Sequence, residues 1–229
     1  MFYFRLNKLK IKDNKEGKRF LLFGPSFAEV KIYSFVTTGN VEFPGMDELL
    51  HTDNKTTRQE IFRTIMESVD SGKVLTEIKN VRDNSSLTFG DSGIVIYKSD
   101  KIPDQLNWTL LVIECDEDIR NFADRLDKVI KGKDFQKYSA DLLIALGTIV
   151  NPAYGAVVGL TKYFCHYFIG RLKKNKDDLI GITSMSLNRI EHYPHGERKV
   201  DDVWDLTRNI QIDYSMFGYE DEEETNNGS

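Results

Sequence analysis

The sequence of 229 residues contains few cysteines and few prolines, two and five respectively. The cysteines, Cys115 and Cys165, have neither the CxxC spacing of a metal knuckle nor the density of a disulfide-rich scaffold. Their scarcity excludes a fold held together by disulfides and favours a reducing compartment.

The chain also lacks an excess of positive charge. It has 31 Lys and Arg residues against 36 Asp and Glu residues, which gives a net charge of −5 at neutral pH. A broad nucleic-acid surface needs clustered cations that neutralise phosphates. We therefore expect no nucleic acid among the partners of this protein.

Two kinds of motif are missing from the sequence. Residues 1–6 alternate apolar and polar side chains and lack the apolar core and cleavage site of a secretory signal, so we expect a cytoplasmic protein, either free or attached peripherally to a membrane. The chain has no nucleophile elbow, phosphate-binding glycine loop or G-x-G-x-x-G fingerprint. No enzyme class gains support from a motif, and we expect a protein that is not an enzyme.

What the chain does contain is a series of segments with the two-residue apolar period of half-buried strands, separated by turn-prone residues. One segment has helical spacing instead, Lys55–Val69, with Thr52 or Asp53 as the expected N-cap. Strands separated by turns at this spacing predict an antiparallel β-sandwich. The predicted strands are Phe2–Ile11, Ala28–Thr38, Val74–Val81, Gly93–Tyr97 and Asn209–Phe217.

A helical insertion interrupts the strand pattern. Trp108–Asp118 is a strand that ends in acidic residues, and Asn175–Ile182 leads from acidic residues back into a strand. The predicted fold class is therefore mainly β with a helical insertion, an α+β arrangement. The expected domains are a discontinuous sandwich at 1–118 and 175–219, and a helical insertion at 119–174. A disordered acidic tail is expected at 220–229.

The insertion contains an uncharged stretch from Leu142 to Thr161 that Asn151-Pro152 divides into two helical arms, Leu142–Val150 and Pro152–Leu172. Three interpretations remain open: a hairpin buried against the sheet, an element that touches a membrane, and a partner interface. A basic cluster lies at the end of the second arm, where it is suited to contact anionic lipid or a protein partner. It consists of Arg171, Lys173, Lys174 and Lys176.

The acidic ends of the two strands that flank the insertion, Trp108–Asp118 and Asn175–Ile182, resemble a known motif. An apolar strand that ends in D-x-D, followed by N-x-D-D-x-I-G at the start of the next strand, is similar to the third calcium loop of the C-two (C2) domain, the calcium- and phospholipid-binding β-sandwich of protein kinase C and synaptotagmin. The strands at Phe2–Ile11 and Ala28–Val36 and the loop at Asp13 are similar to its first two strands and first calcium loop. The matching residues of the third loop are Asp116, Asp118, Asp177, Asp178 and Gly181, with Leu187 further along the strand.

The resemblance implies a C2-like sandwich that binds calcium and meets an anionic membrane. The implied calcium ligands are Asp13, Asp116, Asp118, Asp177 and Asp178. The residues themselves leave an alternative open, because carboxylates at 116–118 would also cap a helix that starts at Ile119. The segment Pro25–Ala28 lacks the acidic ligand that the family places there.

Three hypotheses for function follow. In the first, the chain is a non-enzymatic C2-like binding module that engages a membrane surface or a protein partner with calcium assistance. In the second, it is a structural or interaction protein of a larger assembly, such as an effector or a defence component, and binds no lipid. In the third, His192 and His195 with Glu191 and Glu197 supply the metal site of a hydrolase, against the simpler interpretation that these histidines lie in a solvated loop.

Overall fold

A computed structural model of the protein describes residues 1–15, 27–39, 45–70, 74–114, 130–175, 179–193 and 195–219. These residues form nine strands and four helices. In chain order the elements are β1 Phe2–Ile11, β2 Ala28–Thr38, α1 Met46–His51, α2 Lys55–Asp70, β3 Val74–Val81, β4 Ser85–Thr88, β5 Ile94–Ser99, β6 Gln105–Glu114, α3 Lys133–Leu146, α4 Pro152–Asn175, β7 Leu179–Asn188, β8 Gly196–Trp204 and β9 Ile210–Gly218.

The strands form two antiparallel sheets. One has the order β4-β1-β9-β8, with β5 paired to β1 beside β4, and the other has the order β3-β2-β6-β7. Helices α3 and α4 lie in the chain between β6 and β7. The predicted fold class, an antiparallel β-sandwich with an inserted helical hairpin, is confirmed.

The four-stranded sheet is covered on both faces, because the helices pack on the side that faces away from the other sheet. Strand β6 shows this directly, since Leu110 and Val112 belong to the core between the sheets, whereas Leu111 and Ile113 belong to the core between sheet and helices. A strand buried on both faces shows a continuous apolar run instead of alternation. The described residues thus form three layers and two hydrophobic cores.

Three aromatic rings mark the centre of the core between the sheets. Trp108 contacts Phe4 edge to face, with ring centroids 4.8 Å apart, and Tyr214 lies 5.5 Å from Trp108. The indole N–H of Trp108 donates a hydrogen bond of 2.9 Å to the Ser34 hydroxyl. The ring cluster therefore joins both sheets, and the buried indole N–H of Trp108 has a hydrogen-bond acceptor.

The helical hairpin packs through small residues. A Cβ atom at Gly155 would lie 2.2 Å from Ile149, and one at Gly159 would lie 2.6 Å from Leu142, so both glycines allow α3 and α4 to approach closely. The helix α4 begins at Pro152, and the Asn151 side chain accepts a hydrogen bond from the Tyr154 backbone N–H. For this part of the chain the structure favours the buried-hairpin interpretation: the buried side chains are Leu146, Ala156, Val157 and Leu160.

One local prediction was wrong. The N-cap of α2 is Asn54, whose side-chain oxygen accepts hydrogen bonds from the backbone N–H groups of residues 56 and 57, and neither Thr52 nor Asp53 has this role. His192 and His195 lie in the connection between β7, which ends at Asn188, and β8, which begins at Gly196. The period of β8 is broken by a bulge between Val200 and Val203, where Asp202 has a φ of 56°, so its alternation is not visible in the sequence.

Within the described ranges, no helix is both long enough and apolar enough to span a membrane. The predicted helix from Ile119 to Ile130 lies outside the described residues apart from Ile130, and the acidic tail at 220–229 lies outside them entirely.

Buried tyrosines make the stability of this fold sensitive to alkaline pH. Burial raises the pKa of Tyr193 well above its usual value near 10, and burial also raises the pKa of Tyr214. In the unfolded chain these hydroxyls ionise first, so their contribution to stability is complete below about pH 10 and is lost as the pH rises further. We expect the free energy of unfolding, measured by denaturant titration, to be constant from pH 8 to 9.5 and to fall above pH 10.

The Tyr193→Phe variant is the matched control. The Tyr193 hydroxyl is buried and makes no hydrogen bond to a described residue, so its removal should change stability at pH 7 by less than about 1 kcal/mol. The variant should lose less stability than the wild type above pH 10. An equal alkaline loss in both proteins would contradict the assignment to Tyr193.

Candidate binding surface at one end of the sandwich

Three loops and two strand ends meet at one end of the sandwich, here called the loop end. In one sheet, the end of β1 pairs with the starts of β4 and β9, because Ile11 lies opposite both Ser85 and Ile210. In the other sheet, β6 ends next to the start of β7, with Ile113 opposite Leu179. The loop end therefore comprises residues 12–15, 82–84 and 205–209 with the strand ends at 114 and 179.

Asp13 is the one predicted calcium ligand that the structure describes. Its carboxylate accepts a hydrogen bond of 2.9 Å from the Lys15 backbone N–H and forms an ion pair of 3.0 Å with the Lys15 ammonium group. The side chain is about half exposed. Asp13 thus lies at the surface of the loop end, where a nearby cation already neutralises its charge.

Asn209 joins the Asp13 loop to the start of β7. Its side-chain amide donates hydrogen bonds to the carbonyl oxygens of Asp13 and Ile180, at 2.8 and 2.7 Å. Its side-chain oxygen accepts a hydrogen bond from the Asp13 backbone N–H at 3.1 Å. The backbone that leads out of β1 and the backbone that enters β7 are therefore held side by side, as the predicted convergence of acidic loops requires.

A buried carboxylate fixes the β8–β9 turn against the other sheet. Asp205 is 3% exposed, and its side chain accepts five hydrogen bonds. Four of the donors belong to the turn and the start of β9: the backbone N–H groups of Asn209, Ile210 and Thr207, and the Thr207 hydroxyl. The fifth is the backbone N–H of Ile182 in β7, at 3.1 Å. One side chain thus accepts hydrogen bonds from the donors of the turn and also connects the two sheets.

The turn held by Asp205 presents apolar side chains to solvent. Leu206 is 73% exposed, although its backbone N–H donates a hydrogen bond of 2.9 Å to the Ile182 carbonyl. Trp204, at the end of β8, is 48% exposed. Large apolar groups that are exposed on a rigid turn are typical of contact sites for membranes or proteins.

Cations accompany these apolar groups. Lys10 lies opposite Gln211, which in turn lies opposite Trp204, so Lys10 and Trp204 share one rung of the sheet and both are exposed. Arg208 is exposed in the turn itself. At the start of β2, the half-exposed Phe27 ring has the Arg82 guanidinium 4.6 Å above it. The loop end therefore combines apolar and basic side chains on one surface.

Most of the predicted site residues cannot be placed. Asp116, Asp118, Asp177, Asp178 and Lys176 lie outside the described residues. Arg171, Lys173 and Lys174 belong to the last turns of α4, but their side chains also lie outside the description. Their assignment as calcium ligands or as membrane or partner contacts stays a prediction.

Gly181 and Leu187, the other residues of the resemblance, have structural roles in β7. A Cβ atom at Gly181 would lie 2.7 Å from the Ile210 side chain, so the glycine allows the two sheets to approach closely at the loop end. Leu187 is buried in the core between the sheets. Both residues therefore position the strand and contact no exposed site.

The two histidines have separate environments. The ring nitrogen Nδ1 of His192 accepts a hydrogen bond of 3.1 Å from the Asn188 backbone N–H, whereas the His195 ring packs on Tyr219 with centroids 5.2 Å apart. In the part of the chain that the structure describes, no group of three or more His, Cys, Asp or Glu side chains is arranged to hold a metal ion.

The opposite end of the sandwich also has exposed apolar side chains. Val150, at the tip of the helical hairpin, is fully exposed, and Ile190, in the β7–β8 connection, is 90% exposed. The tip lies at this end because the Asn151 side chain donates a hydrogen bond to the Gly39 carbonyl, just beyond β2. These residues are a natural comparison for the loop end.

The Asp205 network predicts a large effect of a small change. In Asp205→Asn, an amide NH₂ group would face backbone N–H donors in place of a carboxylate oxygen, so at least two hydrogen bonds would be lost in a buried site. We expect the free energy of unfolding to fall by about 3–5 kcal/mol, as measured by urea denaturation. Asp201→Asn, the same change at an exposed position of β8, should cost less than about 0.5 kcal/mol. Equal costs for the two variants would show that the Asp205 hydrogen bonds contribute little to stability.

Comparison with known proteins identifies no family for this chain. No family model matches it, and no curated protein matches its sequence. Solved structures with loose similarity include two that contain a C2 domain. C2-DSL-EGF1 from Drosophila is 8% identical with a TM-score of 0.33, and the match covers 94% of this chain but only 65% of the Drosophila chain. A C2 domain protein from Ramazzottius varieornatus is 10% identical with a TM-score of 0.31, and that match covers 96% of this chain and 93% of the other.

Proposed function

We propose that this protein is a non-enzymatic, C2-like binding module that attaches to an anionic membrane surface through its loop end. The observation that carries the proposal is the exposure of Trp204 and Leu206 on a turn that Asp205 holds rigidly. Tryptophan favours the interface between water and lipid, because its ring is apolar and its N–H group is polar.

Charge at the loop end supports an anionic surface as the partner. The exposed cations Lys10 and Arg208 lie beside the apolar pair. Each basic residue near an anionic membrane surface contributes about 1 kcal/mol. The predicted basic cluster from Arg171 to Lys176 follows helix α4 to the same end of the sandwich, since β7 begins there at Leu179.

Calcium is proposed as an assisting ion. The described loop at Asp13 lies beside the start of β7. The acidic residues at 116–118 and 177–178 are only a few positions along the chain from the strand ends at 114 and 179, so we propose that their carboxylates share a calcium ion with Asp13. The Asp13–Lys15 ion pair neutralises one of these carboxylates without calcium. We therefore propose that apolar and basic contacts supply the basal affinity and that calcium increases it.

Vesicle co-sedimentation tests the membrane proposal. The wild-type protein should sediment with vesicles that contain phosphatidylserine and not with vesicles of phosphatidylcholine alone. A Trp204→Ser, Leu206→Ser variant should bind at least about tenfold more weakly, because each large side chain contributes roughly 1.5–3 kcal/mol when it leaves water.

The matched control is Val150→Ser, Ile190→Ser, which removes exposed apolar groups from the opposite end. This variant should bind like the wild type. If it loses binding while the loop-end variant retains it, the attachment lies at the hairpin tip. If the wild type binds neither kind of vesicle, the membrane proposal is wrong, and the hypothesis of a structural protein in a larger assembly takes its place.

A calcium arm separates the two contributions. The vesicle assay is repeated with calcium and with a chelator for the wild type and for an Asp116→Asn, Asp118→Asn variant. We expect calcium to strengthen wild-type binding and to have no effect on the variant, which should keep the calcium-independent binding. An equal response of both proteins to calcium would exclude these carboxylates as ligands.

A further inference from the structure

A cleft of about 220 Å³ opens on the helical layer, between α2 and α3. Its lining is apolar at one side, where the rings of Phe62 and Phe135 meet edge to face with centroids 5.6 Å apart and Ile130 and Leu143 lie beside them. Phe62, Phe135 and Ile130 are buried members of the core between sheet and helices. The cleft therefore exposes a small part of an otherwise closed core.

The remaining lining residues are polar and carry positive charge. Lys55 and Arg58 come from the first turns of α2, and no carboxylate is present among the described residues that line the cleft. The other polar lining residues are Gln59, Gln136 and Ser139. The charge of the cleft thus complements an anion.

Arg58 has hydrogen-bonding capacity to spare. Its Nε atom is buried and has no hydrogen-bond partner among the described residues. Its Nη2 atom contacts a carboxylate oxygen of Asp53 at 3.4 Å, a long distance for a charged pair, and the Asp53 side chain is fully exposed. An arginine with unused N–H groups can donate hydrogen bonds to a second carboxylate.

We propose that this cleft binds a small monocarboxylate with an aliphatic tail, such as a medium-chain fatty acid. The carboxylate pairs with Arg58 and Lys55, and the tail lies against Ala140 and Leu143, above the buried rings of Phe62 and Phe135. The size fits a compact ligand, because the cleft is smaller than the roughly 300–1,000 Å³ of sites for drug-sized molecules. This site is separate from the loop end and does not depend on the proposed membrane attachment.

Calorimetry with decanoate below its micelle concentration tests the proposal on the full chain. Wild-type protein should bind decanoate at least about tenfold more tightly than decanol or decyltrimethylammonium, because only the carboxylate carries the opposite charge and has two oxygens that can accept hydrogen bonds from the guanidinium together. Arg58→Gln should reduce decanoate affinity by about tenfold and should leave the affinity for decanol unchanged.

A steric variant locates the binding. Ala140 is exposed and lines the cleft, so Ala140→Phe should fill it and abolish binding, whereas Ala145→Phe, at an exposed position of α3 outside the lining, should not. The proposal is overturned if the three decyl compounds bind the wild type equally, if no decanoate binding is detected, or if both phenylalanine variants bind like the wild type. The Trp204→Ser, Leu206→Ser variant should bind decanoate normally, so failure of one proposal leaves the other intact.

Discussion

The buried carboxylate of Asp205 is the interaction on which the loop end depends. A carboxylate loses its hydration when it is buried, and only several donors with good geometry offset that cost. Here five donors meet one side chain, and one of them, the Ile182 N–H, belongs to the other sheet. The turn is therefore fixed before any partner arrives. Since the turn loses little conformational freedom on binding, most of the free energy gained by removing Leu206 and Trp204 from water contributes to affinity.

The three-layer arrangement assigns different roles to the two apolar parts of the chain. The hairpin α3–α4 is apolar because it covers the outer face of the four-stranded sheet, where Tyr33 and Leu111 would otherwise face water. Burial accounts for the apolar side chains of Leu146, Ala156, Val157 and Leu160, whereas Ile144, Ile149 and Val150 are exposed. Exposed apolar side chains lie at both ends of the sandwich, and at the loop end Trp204 and Leu206 are accompanied by the exposed cations Lys10 and Arg208.

The sequence predicts those parts of the fold that follow a regular period. Strands β1 and β9 alternate because one face of each is more deeply buried than the other, and the helix α2 shows an apolar stripe. Strand β4 is too short and polar to be recognised, and the bulge in β8 interrupts its alternation. The two binding surfaces depend on contacts between distant residues. Asp205 reads as an ordinary turn residue until Ile182 is placed beside it, and the cleft needs α2 and α3 to meet across more than sixty residues of chain.

The irregular form of β8 has a consequence for the behaviour of the protein at high concentration. This strand lies at the edge of its sheet and pairs only with β9 among the described strands, so its outer backbone groups offer a template to a strand of another copy. The bulge at Val200–Val203 and the exposed charges at Glu197, Arg198 and Lys199 make that template short, bent and strongly hydrated. The feature that conceals β8 in the sequence therefore also protects the sandwich from edge-to-edge aggregation.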